Sequence, residues 1–329
     1  RNCSTRPNII KPETGHVAFH KAGYLLGVEV RNVPVDAATA TVDVEKVAEL
    51  IDESTIAIIG SATNYGYGTI DPITDLGALA LERGIGLHVD GCLGGFILPW
   101  GEALGYDLPL WDFRVPGVTS ISADTHKYAY GFKGTSVLLF ADKALRNSQY
   151  FYVTDWTGGK YCSPGIDGSR SGGLLAATWA AMVSFGREGY IEHARGIFET
   201  SFALQDVVRT HPSLRIIGAP SFCFSFTSDE FDIYHVNDFM RTRDWRFNGQ
   251  QYPDAIHMAV TRPQVRPGLI DKFAGDLHDA VDYALAGPES PPASGAIYGG
   301  VTGGLTDEAD EFIRAVMADM MDKQQAVPG

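Results

Sequence analysis

Short apolar runs alternate with stretches whose apolar residues recur every three or four positions through the first two-thirds of the chain. The runs at 27–35, 55–61, 85–90, 118–123 and 135–140 have the length and composition of buried strands. Between them, 42–53 places Val44, Val47, Leu50 and Ile51 on one helical stripe. The segment 74–83 lies between Asp71-Pro72, read as a capping pair, and Gly84, a stop signal. A further helix start is read near the amino end, with Thr14 as its N-cap. Apolar strands alternating with amphipathic helices predict an α/β fold, a mostly parallel sheet covered on both faces. Ligands of such sheets sit at the carboxyl ends of the strands.

The pattern changes at Gly172, becoming helical through about His211, where Pro212 breaks it. Strands are expected at 214–218, 222–227 and 256–261, and helices at 232–245 and 267–285. The stretch 287–304, rich in Pro, Gly and Ser, reads as a loop, and a last helix is expected at 306–323. This predicts a large domain over 1–205 and a small α+β domain over 206–329.

Composition narrows the function classes. The 329 residues are 45% hydrophobic and 20% charged, with a formal charge of −14, as expected of a soluble globular protein. Such a balance argues against nucleic acid or an anionic membrane as a main partner, but leaves room for an anionic substrate in a locally basic pocket. Cys3, Cys92, Cys162 and Cys223 are scattered without a C-x-x-C pair, which suggests reduced thiols and a cytoplasmic setting. No apolar run approaches the length of a membrane span, so no integral membrane segment is expected. The chain opens on Arg1 in a run that reads like the middle of a protein, so further sequence is expected before it.

Two residues at strand ends carry the chemistry. Lys127 follows the strand at 118–123 and precedes the one at 135–140; a lysine desolvated there becomes a nucleophile toward aldehydes. Asp90 closes the run Ile85-Gly-Leu-His-Val-Asp, and Gly94-Gly95 beyond it permits close backbone approach. A buried amine and a buried carboxylate at strand ends are the two anchors of pyridoxal 5'-phosphate: the amine takes the aldehyde, and the carboxylate keeps the ring nitrogen protonated. Each residue also has an ordinary reading, a solvated turn lysine and a turn-capping aspartate. His126, beside Lys127, is a candidate contact for the cofactor phosphate or the substrate. His16 has the imidazole to lie flat on a pyridoxal ring. With His20 it could also form an i, i+4 metal pair, but H-V-A-F-H lacks the glutamate of the zinc peptidase motif and no third ligand is suggested, so no metal is expected.

Gly-Ser-Arg-Ser-Gly-Gly at 168–173 precedes a helix, and its backbone amides with Ser169, Arg170 and Ser171 form a candidate anion site. Lys133 and Tyr161 add polar groups on nearby loops, and Thr63 and Asn64 fall at a sheet carboxyl edge. The glycines of Tyr65-Gly-Tyr-Gly are more simply turn formers.

Together HVDGCLGG, DFRVPGVTSISADTHKYAYGFKGTS, TDWTGGKYCSPGIDGSRSGG and GAIYGG resemble the sphingosine-1-phosphate lyase family, in the group II decarboxylase branch of the fold type I, aspartate aminotransferase-like, pyridoxal phosphate enzymes. The resemblance covers nearly the whole chain. It implies that Lys127 holds the cofactor aldehyde, Asp90 pairs with the ring nitrogen, His16 stacks on the ring and His126 lies by the phosphate. It further implies that Lys133 and Tyr161 are needed for turnover and that Arg170 belongs to a conserved turn. Gly91 stands where the family usually has alanine, and counts among the cofactor-binding residues with Thr63. The family's Gly-Gly-Thr-Glu-Ser phosphate cup is expected upstream of the stretch that matches Arg1–Pro12.

The implied reaction is retro-aldol cleavage of a phosphorylated sphingoid base between carbons two and three, to phosphoethanolamine and a long-chain aldehyde, in a homodimer with shared sites. Lys133, Tyr161 and His126 are the candidate bases. Two other readings stay open: an amino acid decarboxylase with the same cofactor anchors, and a truncated, non-catalytic homologue.

Overall fold

The structure, a computed structural model, describes residues 6–295, 299–300 and 305–325. The middle of the GAIYGG run lies outside the described residues. The chain divides into two compact units. The first comprises the chain up to Phe226 with Met258–Ala274; the second comprises Thr227–His257 and the chain from Gly275 onward. The boundary expected at 205/206 lies within the helical stretch Gly172–Arg209, which is kinked at Gly186 and belongs to the first unit.

The first unit is built on six strands: β1 (Asn8–Pro12), β2 (Glu29–Val33), β3 (Thr55–Ser61), β4 (Gly86–Asp90), β5 (Val118–Ala123) and β6 (Val137–Phe140). Their order is β2-β1-β3-β4-β5-β6. All neighbours run parallel except β6, which returns antiparallel on β5. The helices are α1 (Ala18–Leu26), α2 (Val44–Glu49), α3 (Ile73–Arg83), α4 (Leu98–Ala103), α5 (Lys143–Asn147) and α6 (Gly172–Arg209). Ile10, Ile58, Leu87, Val89 and Ile121 are buried along the central strands, with Leu76 and Ala80 of α3 in the same core. A short hairpin, β7 (Phe151–Val153) with β8 (Tyr161–Ser163), and the strands β9 (Arg215–Ile216) and β10 (Cys223–Thr227) follow. The predicted α/β class is thus observed.

The second unit holds α7 (Ile233–Thr242) and an antiparallel pair, β11 (Asn248–Gln250) with β12 (Ala255–Ala259), whose last residues re-enter the first unit. Helix α8 (Leu269–Leu285) starts in the first unit and ends in the second, and α9 (Asp307–Gln325) is the last described element. Trp245 donates its indole N–H to Asp276 at 2.7 Å, tying the end of α7 to α8 within the second unit. Among the described residues no helix is long and apolar enough to cross a membrane.

Two expected caps are not caps. Thr14 does not begin α1: its hydroxyl is buried without a hydrogen-bond partner, and Val17 stands at the cap. The cause is the fully buried Lys11, whose ammonium donates to the carbonyls of Pro12 at 3.0 Å and Gly15 at 2.8 Å and holds 12–15 as a turn. Asp71 does not cap α3; its carboxylate turns inward and accepts the N–H of Ser61 at 2.7 Å. Burial pushes the Asp71 carboxyl up to about 7, against the N–H groups of Ser61 and Val42 and the charge of Lys11. Burial likewise lowers Lys11 to about 8, opposed by Glu13 and Asp71.

Gly94 is required by a close approach. A Cβ there would lie 2.2 Å from the Ala62 carbonyl oxygen, where the turn after β4 crosses the end of β3. Gly94→Ala is therefore expected to cost about 2 kcal/mol or more of stability, read as a lowered urea midpoint. Asp71 gives a pH test. Its carboxyl is raised in the fold, so between about pH 4 and pH 7 the unfolded chain loses a proton that the folded chain keeps, and stability falls as pH rises. Asp71→Asn removes that slope: relative to the native chain it should gain about 2 kcal/mol or more between about pH 4 and pH 8 in urea unfolding.

Candidate active site

The site is built by the alternation of two neighbouring strands. In β4, Leu87 and Val89 face the core, so His88 and Asp90 face the other side. In β5, Ser120 is the register partner of His88 and Ser122 that of Asp90. The Asp90 carboxylate is buried at the carboxyl end of β4, its Oδ1 accepting the Cys92 N–H at 3.0 Å and the Ser122 hydroxyl at 3.2 Å. Gly91 follows, with its N–H donating to the Ser122 carbonyl at 2.9 Å. A Cβ on Gly91 would stand 3.0 Å from that carbonyl oxygen and 3.4 Å from the Trp111 ring, so an alanine fits only with a small shift.

Beyond β5 the backbone turns at once. The N–H of Lys127 donates to the Asp124 carbonyl at 3.2 Å, and its Nζ lies 3.0 Å from the Asp124 carboxylate. Burial works to lower the pKa of this amine, but the Cys92 side chain and Asp124 outweigh it and hold the pKa raised. The thiol of Cys92 interacts with both Lys127 and Asp90 and is itself pushed up to about 12, chiefly by burial. It is therefore neutral near pH 7, and Asp124 is the standing charge partner of the lysine. The depression expected of a buried lysine is thus opposed in the folded chain by the Cys92 side chain and by the Asp124 carboxylate.

His126 and Lys127 line one cavity of about 670 Å³ together with Leu93, Tyr128, Tyr130 and Arg262. His126 Nδ1 lies 3.0 Å from the Thr135 carbonyl oxygen, which can only accept, so Nδ1 carries the proton. Its Nε2 faces the Asp124 carboxylate at 3.7 Å. The Tyr128 hydroxyl donates to the Val260 carbonyl at 2.9 Å, fixing the backbone beside Lys127. The Arg262 guanidinium lies over the rings of Tyr130 and Phe185, 5.5 Å from each centroid.

The remaining predicted residues do not line this cavity. Gly134, Thr135 and Ser136 line a second cavity of about 360 Å³ with Ser169, Arg170 and Ser171. The loop that holds His126 through Thr135 thereby meets the turn before α6. Ser171 is the N-cap of α6, accepting the Leu174 N–H at 3.4 Å, and Arg170 lies 3.6 Å from Asp167. Lys133 is exposed on the same loop, and Tyr161 is exposed at the start of β8 with Trp156 edge-on at 6.4 Å. His16 is exposed just before α1, its Nδ1 accepting the Ala18 N–H at 3.1 Å. Thr63 is buried with its hydroxyl 3.7 Å from the Cys223 sulfur.

Sequence reasoning passed over three participants. Asp124 stood inside the quoted SISADTHKY run without a role, although an acid three residues before a lysine in a turn is placed to pair with it. Cys92 offers in sequence only a scattered thiol. Arg262 belongs to a distant segment, and nothing in the local sequence links it to Lys127.

Similar proteins are known both in sequence and in structure. The model of the pyridoxal-dependent decarboxylase conserved domain matches residues 2–226. The chain is 41% identical over 321 residues to a sphingosine-1-phosphate lyase of Dictyostelium discoideum, covering 97% of this chain and 60% of that protein. It is 42% identical over 321 residues to one of Arabidopsis thaliana, covering 97% and 58%. The solved structure of a Burkholderia pseudomallei sphingosine-1-phosphate lyase superposes with a TM-score of 0.90 at 53% identity, covering 98% of this chain and 68% of that one. A glutamate decarboxylase of Lactobacillus brevis, 22% identical with a TM-score of 0.74 over 87% of this chain and 68% of its own, shares the fold. The chain thus spans roughly 60% of the length of these curated relatives. It belongs to the pyridoxal-dependent decarboxylase family, in the sphingosine-1-phosphate lyase branch.

Proposed function

We propose that this chain carries the cofactor site of an aldehyde-lyase that cleaves phosphorylated long-chain bases, such as sphingosine 1-phosphate, into phosphoethanolamine and a fatty aldehyde. The observation that carries the reading is the meeting of Asp90, Cys92 and Lys127 at the ends of β4 and β5, beside a cavity whose walls include Leu93, Tyr128 and Tyr130. Similarity to named sphingosine-1-phosphate lyases supports the substrate class.

The donor set fits pyridoxal 5'-phosphate. A primary amine and a carboxylate stand at adjacent strand ends, and the thiol that touches both is neutral, so it adds no competing charge. Lys127 would hold the cofactor through its aldehyde, and Asp90 would face the ring nitrogen. When bound, the cofactor supplies an electron sink for the carbon–carbon bond that breaks. His16 and the amides and side chains around Ser169, Arg170 and Ser171 are the further candidates for ring and anion contact.

The chain's own groups assign the proton movements. Asp124 keeps a proton on Lys127 at rest, and that proton must leave before the amine reacts. Of the three candidate bases, His126 lines the cavity beside Lys127, its Nδ1 held by the Thr135 carbonyl and its Nε2 3.7 Å from the Asp124 carboxylate. His126 is therefore our assignment for the group that takes the proton of the carbon-three hydroxyl. Lys133 and Tyr161 do not line this cavity, and Tyr161 lies on a surface that also exposes Phe151, Tyr152, Trp156 and Ile166. A homodimer would cover those rings and could bring Tyr161 to the partner's site, which is how we read the two residues. The scattered thiols support a cytoplasmic setting.

The reading is tested on the full-length protein with a phosphorylated sphingoid base. Aldehyde and phosphoethanolamine should appear, and Lys127→Ala should abolish the visible absorbance of the bound cofactor and lower turnover by roughly 1000-fold or more. Release of carbon dioxide from amino acids without aldehyde would establish the decarboxylase instead; no cofactor band in the native protein would establish the non-catalytic homologue. A second prediction concerns Asp124. Because it raises the lysine pKa, Asp124→Asn should move the pH dependence of cofactor attachment toward lower pH, measured as capture rate between about pH 6 and pH 10.

A further inference from the structure

His88 has no part in the scheme above, yet it is hydrogen-bonded through both ring nitrogens. Its Nδ1 lies 2.9 Å from the Ser120 hydroxyl and its Nε2 3.2 Å from the Ser122 hydroxyl. Ser122 in turn lies 3.2 Å from Asp90 Oδ1. The imidazole is half-buried, with Phe19 of α1 edge-on at 5.8 Å between ring centroids.

The directions of these bonds follow from what each group can do. An ionised carboxylate accepts only, so the single hydroxyl proton of Ser122 goes to Asp90. Ser122 Oγ is then an acceptor toward His88, and Nε2 carries the imidazole proton. Burial lowers the His88 pKa, with Asp90 opposing, so the ring is neutral near pH 7. Nδ1 is then the acceptor for the Ser120 hydroxyl. Every donor in the row Ser120, His88, Ser122 points toward Asp90. A histidine that only filled space beneath Phe19 would not need this arrangement, since a leucine would fill it without two hydroxyl partners.

We infer that His88 is a positioning residue for Asp90: acting through Ser122, it orients the carboxylate and concentrates its charge where the ring nitrogen of the cofactor meets it. The inference rests on the reading of Asp90 given under the proposed function. It assigns His88 no contact with cofactor or substrate.

The test uses the full-length protein and pyridoxal 5'-phosphate alone, without substrate, so it is independent of which bond the enzyme breaks. Cofactor affinity is measured by absorbance titration, and the visible spectrum of the bound cofactor reports the state of its ring. His88→Leu and Ser122→Ala should each weaken binding by about tenfold and alter the spectrum, the size seen when an outer partner that orients a charged ligand is removed. His88→Gln keeps an N–H toward Ser122 and should recover most of the loss. In an Asp90→Asn background, adding His88→Leu or Ser122→Ala should change affinity less than about twofold, because the group they act on is gone. Equal losses in both backgrounds would overturn the inference, as would native affinity and spectrum in Ser122→Ala. If His88→Leu does not fold, Ser122→Ala in the two backgrounds reads the same coupling. Native affinity and spectrum in Asp90→Asn alone would overturn the reading of Asp90, and this inference with it.

Discussion

The register between β4 and β5 is the constraint on which the site depends. Pairing Asp90 with Ser122 places the carboxylate beside a hydroxyl that can hold it. A slip of one residue would turn Asp90 and His88 into the core and bring Leu87 and Val89 to the ligand side. The register is kept by apolar burial, with Leu87, Val89 and Ile121 all buried. Chemistry and folding are therefore coupled through alternation: the residues that bury themselves decide where the polar ones point. Lys127 inherits its position from the same pairing, because the turn that carries it begins where β5 ends.

Charge is managed locally. The chain is acidic overall at −14, yet Lys127 and Arg262 line one cavity and Arg170 lines another. Each cation is held differently. Lys127 has Asp124 at ion-pair distance, and Arg262 is spread over two aromatic faces. Lys11 shows another solution, a fully buried ammonium held by backbone carbonyls, which shapes the turn leading to His16. These arrangements let an acidic protein offer positive groups to an anionic ligand without a basic surface.

Strands and helices of the first unit were largely legible because their burial is periodic. Thr55–Ser61 and Val118–Ala123 were read to the residue, and most other edges moved by one or two positions. The helix read over 42–53 is shorter, Val44–Glu49. Missed elements were short ones, such as α4, α5 and the β7–β8 hairpin, whose stripes are too brief for a period to emerge. Thr14 and Asp71 failed as caps because buried groups from elsewhere, Lys11 and the Ser61 N–H, took over the local geometry. At the site, residue types were legible and relations were not. Lys127 and Asp90 stood out singly, whereas Asp124, Cys92 and His88 gain meaning only when two strands and a turn meet. The opposite direction of the Lys127 pKa follows from the same blindness: burial is visible in a sequence, and the thiol of Cys92 and the carboxylate of Asp124 brought to the amine are not.

A lysine and an aspartate at strand ends specify a cofactor but not a reaction. Decarboxylation and carbon–carbon cleavage use the same two anchors, so selection between them falls to the groups around the substrate. In retro-aldol cleavage a hydroxyl proton must leave as the bond breaks, which calls for a base within reach of the carbon next to the one bearing the amine. Under the assignment proposed above that base is His126, whose ring is held between the Thr135 carbonyl at Nδ1 and the Asp124 carboxylate 3.7 Å from Nε2. A decarboxylation needs no such base, because the carboxylate is already ionised and its charge passes to the electron sink as neutral carbon dioxide leaves. What separates the two chemistries therefore lies outside the two anchors, among groups such as His126 whose placement is set by a loop carbonyl that no motif names.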